Sequence, residues 1–156
     1  MLSTRPITSD DNAFQYELYV STRLEEITLW GWDEATAASF LHMQWLAQAK
    51  SYASQYPELD RQLVLVENRK AGRILISRED QAFRLIDIAL LPAYQRQGHG
   101  ASLILGLQRE ASQTGLPIQL SVAAGNQAKR LYERLGFRTS GTNGIYEQME
   151  WSSSSL

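Results

Sequence analysis

Apolar positions along the first sixty residues recur mostly at helical spacing, and from residue 63 the period shortens to two. TRPIT, Thr4 to Thr8, reads as a short opening strand. Ser9 or Asp10 is placed to cap a helix beginning near Asp11, because a side-chain oxygen there accepts from the free amides of the first turn. Phe14, Leu18 and the run Val20 to Leu24 supply its apolar face, so the helix is expected to end near Leu24, with EEITLWGW as a loop. Asp33 then caps a second helix reaching about Gln55, before Pro57. LVLVE and RILISRE are strand-like runs, with NRKAG as the tight turn between them. Gln81 to Leu91 is a third, more apolar strand. A helix from Gly98 to Thr114 is closed by Gly115, PIQLSV is a strand, and a helix over Asn126 to Leu135 stops at Gly136. FRTS and IYEQMEW are closing strands around the turn GTNG, and SSSSL reads as a disordered tail. Helices inserted among sheet strands predict a layered α/β or α+β domain.

Composition narrows the class. The 156 residues fit one domain, taken as 1–151, and can bury a sizeable core. A net charge of -2 gives no general attraction to nucleic acid or to an anionic membrane. The absence of cysteine removes disulfides, a cysteine nucleophile and thiolate metal sites, and suits a cytoplasmic protein. The polar start MLSTRPITSDD lacks the apolar core of a signal peptide, and no apolar run reaches transmembrane length.

The segment QRQGHGA, Gln95 to Ala101, lies between a strand ending at Leu91 and a helix starting near Gly98. The first amides of a helix have no internal partner, and the helix dipole turns its positive end to the same place. An anion fits there, and glycine lets backbone approach it closely. A tight turn at a helix start is the plain alternative; the paired glycines beside Gln95 and Arg96 favour a phosphate site. The P-loop pattern fails because Ala101, followed by Ser102, stands after Gly100 where lysine is needed. The dinucleotide pattern fails because Leu103 stands where a third glycine is needed.

Gln95-x-x-Gly98-x-Gly100 resembles the Q/R-x-x-G-x-G/A pyrophosphate loop of the GNAT superfamily of N-acetyltransferases, and NQAKRLYERLGF, Asn126 to Phe137, resembles its second signature. The two stand in the family's order and spacing, with counterparts for every element from Leu63 to Trp151; residues 1–60 match loosely, in the region that varies with acceptor. The resemblance implies a mixed, mostly antiparallel central sheet of six to seven strands with four helices on its faces. It implies acetyl-CoA as co-substrate, an amine acceptor, no metal, and direct transfer in a ternary complex, for which the absence of cysteine also speaks. The coenzyme would be held by Gln95, Arg96, Gln97, Gly98, His99, Gly100 and Ala101, with Asn126 at its arm. A backbone amide among Ala89, Leu90 and Leu91 would polarise the thioester carbonyl, beside a slot whose other wall is Leu120 to Val122.

Tyr132 is the candidate acid for the departing thiolate: Leu131 and Leu135 should face the core, leaving Tyr132 offset with its hydroxyl toward the slot. The alternative is a core tyrosine with a satisfied hydroxyl. Asn126 is also a candidate helix cap. Asp87, a lone carboxylate in LIDIALL, is either a base with a raised pKa or a structural group bonded to Arg84 or to backbone amides, and the two readings stand level. Glu25, Glu26, Trp30 and Trp32 lie on the acceptor side as amine contacts, against solvated carboxylates and packed rings. His42 and His99 are isolated and form no metal site. Two rival functions remain: a catalytically silent acyl-CoA-binding regulatory module, and a nucleotide-binding domain of unrelated fold. A homodimer stays open, and the sequence names no particular amine.

Overall fold

Seven strands form one sheet in the computed structural model, which describes residues 1–153, in the order β1-β2-β3-β4-β5-β7-β6. The chain runs β1 (Leu2–Pro6), a 3₁₀ turn (Ser9–Asp11), α1 (Asn12–Leu29), α2 (Glu34–Gln55), β2 (Asp60–Val66) and β3 (Arg69–Arg78). It continues through β4 (Phe83–Leu90), a second 3₁₀ turn (Pro92–Tyr94), α3 (His99–Thr114), β5 (Ile118–Ala123), α4 (Ala128–Arg134), β6 (Arg138–Asn143) and β7 (Tyr146–Trp151). β1 with β2, β5 with β7 and β6 with β7 are antiparallel, and β4 with β5 is parallel. The expected α/β (α+β) class and mostly antiparallel sheet are therefore present. The last three residues of the tail expected to be disordered lie outside the described residues. Among the described residues, no helix is long and apolar enough to cross a membrane.

Backbone contacts divide the chain into two compact units, residues 1–75 with 88–95, and residues 76–87 with 96–156. In the first, α1 packs Phe14 and Leu18 against Leu63, with Ile7, Leu65, Ala89 and Leu91 around them. A second cluster joins Tyr19 and Ile27 of α1 to Ala37 and Leu41 of α2. Asp33 caps α2 as expected, its Oδ1 accepting from the Thr36 amide at 2.7 Å. Three local expectations change. α1 continues through EEIT to Leu29, because these residues include good helix formers and the chain turns only at Gly31, φ 70°. The β2–β3 turn is Glu67–Asn68, both at positive φ, 50° and 64°, so Ala71 and Gly72 lie buried inside β3. Ser9 and Asp10 do not cap α1, which does start near Asp11, at Asn12; they lie in the 3₁₀ turn that Thr8 precedes. Asp11 is 1 % exposed and receives both Arg5 guanidinium nitrogens at 2.9 Å, Lys70 Nζ at 2.9 Å and the Thr8 amide at 2.9 Å.

In the second unit, α3 turns Ile104, Leu107 and Ala111 inward at helical spacing. Ile118, Leu120 and Val122 alternate inward along β5, and Met149 and Trp151 do so along β7. Gln108 of α3 donates through Nε2 to the Leu135 carbonyl at 2.8 Å, fixing the end of α4.

Candidate active site

The loop before α3 is built from alternating backbone hands. Arg96 and Gly98 both have positive φ, 62° and 84°. Left-handed residues next to ordinary ones turn successive N–H groups toward a common side, a concavity suited to an anion. A left-handed conformation strains a non-glycine residue such as Arg96, and strain of this kind gathers at functional sites. Gly98 is the N-cap of α3 and offers no side-chain cap. The first intrahelical bond of α3 runs from the Ser102 amide to the Gly98 carbonyl at 3.0 Å. The amides of His99, Gly100 and Ala101 precede it and point out of the helix end. Among the described residues, no atom beyond its two chain neighbours lies within 4 Å of a Cβ placed on Gly98. At Gly100 a Cβ would lie 3.7 Å from Leu131 Cδ2, an ordinary contact, so nothing in the protein itself requires glycine there.

β4 and β5 pair only at their beginnings. The register joins Phe83 to Ile118 and Arg84 to Gln119, and among the described residues no pair joins Leu85–Asp87 to Leu120–Ala123. A parallel pair that stops after two residues leaves unmatched backbone groups facing each other. β5 remains fully paired on its other side, where its six residues match Tyr146 to Trp151.

Tyr132 is the buried residue of α4, at 8 % exposure, while Leu131 and Leu135 are only half-buried. This reverses the expected facing: Leu131 reaches the Gly100 loop, and the tyrosine ring packs inward, 5.7 Å from Phe137. Among the described residues its hydroxyl meets no hydrogen-bond partner. Burial first, then the charge of Asp87, pushes the phenol up to about 12. The two catalytic candidates are thus close enough to act on one another. Asp87 is half-buried, and Arg84, its suggested partner, pairs with Glu79 at 2.9 Å. Asn126 caps the start of α4, its Oδ1 accepting from the Ala128 amide at 2.8 Å, one residue ahead of the formal N-cap Gln127. It also lines an open groove of about 650 Å³ together with Lys129, Arg130 and Arg134.

The remaining candidates lie in the first unit. The Leu91 amide donates to the Ala71 carbonyl at 2.8 Å, which removes it from the set of thioester donors. Gln95 donates through Nε2 to the Leu90 carbonyl at 2.8 Å, so its side chain holds backbone. Glu26 lies in α1, not in a loop, and pairs with Arg23 at 2.9 Å; the side chain of Glu25 lies outside the described residues. Trp30 and Trp32 are 41 % and 43 % exposed, and each packs edge-on against Phe40, at 5.8 and 5.2 Å. One residue of interest was missed. A Cβ on Gly72 would stand 2.1 Å from the Ala89 carbonyl oxygen. An isolated glycine within a strand pattern is the signal that could have found it.

The second unit thus holds both a parallel pair that opens after two residues and an uncapped helix start. The family model described as an acetyltransferase (GNAT) domain matches residues 33–151, and the chain belongs to that family. No curated protein matches the sequence. Among solved structures, the chain is similar to PaiA N-acetyltransferase from Thermoplasma acidophilum in complex with coenzyme A. They share 16% identity over 97% of this chain and 99% of that one, with a TM-score of 0.72. It is similar to the ribosomal-protein-S18-alanine N-acetyltransferase of Escherichia coli, with 22% identity, 97% and 94% coverage and a TM-score of 0.65. An acetyltransferase from Thermus thermophilus shares 16% identity over 97% of each chain, with a TM-score of 0.68. At these identities the likeness is one of fold.

Proposed function

We propose that the protein transfers the acetyl group of acetyl-CoA directly to a primary amine. The observation that carries this reading is the opening of β4 from β5 in the unit that also holds the uncapped start of α3. Acetyl-CoA supplies a thioester activated toward an amine; the chain's own residues bind, orient and move protons. The His99, Gly100 and Ala101 amides, with Gly98 leaving open space before them, suit a pyrophosphate. Arg130 and Arg134 add positive charge along the groove that Asn126 lines. Unmatched backbone groups at Leu120–Ala123 suit the amide-bearing arm of the coenzyme, which can pair as a strand would.

The Leu90 amide is assigned as donor to the thioester carbonyl: Leu91 is engaged by Ala71, and the Ala89 carbonyl, which shares a peptide with the Leu90 amide, is turned onto Gly72. Tyr132 donates a hydrogen bond to the departing sulfur. Asp87 is assigned the proton of the attacking amine, directly or through a water. The end of α1 and the start of α2 are the acceptor side, where Glu26 faces solvent and Trp30 and Trp32 present ring surface to an amine's apolar body. The test is a thiol-release screen with acetyl-CoA over small amines, aminoglycosides, amino acids and peptide N-termini. Release with one class supports the reading. Coenzyme binding without release from any acceptor would favour a silent acyl-CoA module, and nucleotide binding in competition with coenzyme A would favour the unrelated nucleotide site.

A further inference from the structure

We infer that Gly72 is a positioning residue: its lack of a side chain lets the Ala89–Leu90 peptide turn out of the sheet ladder, which aims the Leu90 N–H away from β3. The inference rests on the reading above that this amide polarises the thioester.

In a regular ladder, carbonyls lie in the plane of the sheet and Cβ atoms stand off it. The Ala89 oxygen lies 2.1 Å from where a Gly72 Cβ would be, and the Ala89 carbonyl carbon lies 3.0 Å from it. That peptide has therefore left the plane and rests on the bare face of Gly72. A peptide bond is rigid, with its carbonyl and N–H pointing in opposite directions. The carbonyl of Ala89 and the N–H of Leu90 belong to one peptide. Seating the first on Gly72 sends the second the other way. The next peptide is held independently: Leu91 donates to Ala71 at 2.8 Å, and the Leu90 carbonyl accepts from Gln95 at 2.8 Å. Both peptides flanking Leu90 are thus fixed, one by a missing methyl group and one by two hydrogen bonds. Leu90 Cδ2, 2.8 Å from the same Cβ position, is a side-chain end that can rotate away, so the obstacle is the Ala89 backbone. Any side chain at residue 72 must push the Ala89 carbonyl back and rotate the Leu90 N–H with it.

The test is Gly72→Ala, with Gly106→Ala of α3 as a control for glycine replacement in general. Three readouts are taken on folded protein: kcat normalised to the number of coenzyme A sites, the Kd for coenzyme A, and the infrared carbonyl band of bound ¹³C-acetyl-CoA. In the native protein that band is expected below its position in water. In Gly72→Ala it should return toward the free position, and kcat should fall about 100- to 1,000-fold, the loss found when one oxyanion donor is removed. The Kd for coenzyme A should stay the same, since the phosphate loop is untouched. A destabilised strand alone would lower the melting temperature and leave the band in place. An unshifted band in the native protein would refute the thioester role of Leu90 itself. A shifted native band that Gly72→Ala retains, with kcat intact, would overturn the positioning role alone. Should Gly72→Ala fail to fold, NMR of the native protein decides. A Gly72 Hα–Leu90 methyl contact persisting with acetyl-CoA, and a Leu90 amide proton moving downfield with acetyl-CoA but not coenzyme A, support the proposal. Loss of that contact on binding overturns it.

Discussion

Removing one oxygen atom from Tyr132 asks what kind of acid a buried phenol can be. Tyr132→Phe keeps the ring, its packing 5.7 Å from Phe137, and the α4 backbone. A positioned general acid is worth roughly two to four orders of magnitude. The environment argues for less. The phenol is pushed up to about 12, and a thiol of the cysteine kind ionises near 8.5. Complete proton transfer from one to the other is uphill by roughly 3.5 units, or about 5 kcal/mol. A hydrogen bond that strengthens as charge develops on sulfur needs no such transfer and is worth about 1.5–3 kcal/mol. The expected fall in kcat is therefore roughly 10- to 150-fold, measured by single-turnover thiol release. Coenzyme affinity should hardly change. Between pH 7 and 10 the ratio of the two rates should be flat, because the phenol stays protonated throughout. Stability carries a second signature. The folded-state pKa lies above the unfolded value of about 10, so the contribution is fully present below pH 10 and is lost as pH rises toward 12. It amounts to about 2–3 kcal/mol at 1.36 kcal/mol per unit, and Tyr132→Phe should lack this alkaline loss. An unchanged kcat with a lowered melting temperature would refute the donor role and leave a core tyrosine.

Gly98→Val should lose coenzyme A binding in calorimetry and about 1–2 kcal/mol of stability, because φ is 84° there, while Gly98→Asn, which tolerates that conformation, should keep the stability. Asp11→Asn should cost about 3 kcal/mol in chemical denaturation, the low end for a broken buried pair because Arg5 and Lys70 are each 39 % exposed. The Arg5, Lys70 and Thr8 contacts hold the Asp11 carboxyl well below its usual range, so the native protein should lose stability as pH falls below about 4, and the variant should lose less. Glu26→Gln and Trp32→Ala should raise KM for the amine in steady-state assays and leave coenzyme A affinity unchanged; the reverse pattern would overturn the placement of the acceptor.

Local devices were legible in the sequence because each needs only a few neighbouring residues. Asp33 caps α2, Asn126 holds the start of α4, and Gly98 and Gly115 bracket α3 with left-handed backbone. Pairings between distant residues were not legible. Asp11 reads as a helix start, yet its partners include Lys70, and nothing in TSDDNAF announces that. The hairpin turn was drawn toward NRKAG by its glycine, whereas the chain turns at Glu67–Asn68, two residues that accept positive φ without one. The opening of β4 from β5 was to be expected only through the family resemblance; the residues themselves do not mark it, since LIDIALL and LSVA would suit a fully paired strand equally well.

Gly98 and Gly72 show why one proposed role can be read from the sequence and the other cannot. Gly98 is glycine because of its own φ, a property of one residue that turn chemistry advertises in the surrounding QRQGHGA. Gly72 has no positive φ and sits in a strand, where glycine is normally a weakness. Its reason lies seventeen positions away, in a carbonyl that would collide with any Cβ. The proposed phosphate loop is therefore written in one segment. The proposed thioester donor is written in two strands that explain each other only when brought together, so a change at Gly72 should damage the chemistry while every recognisable motif stays intact.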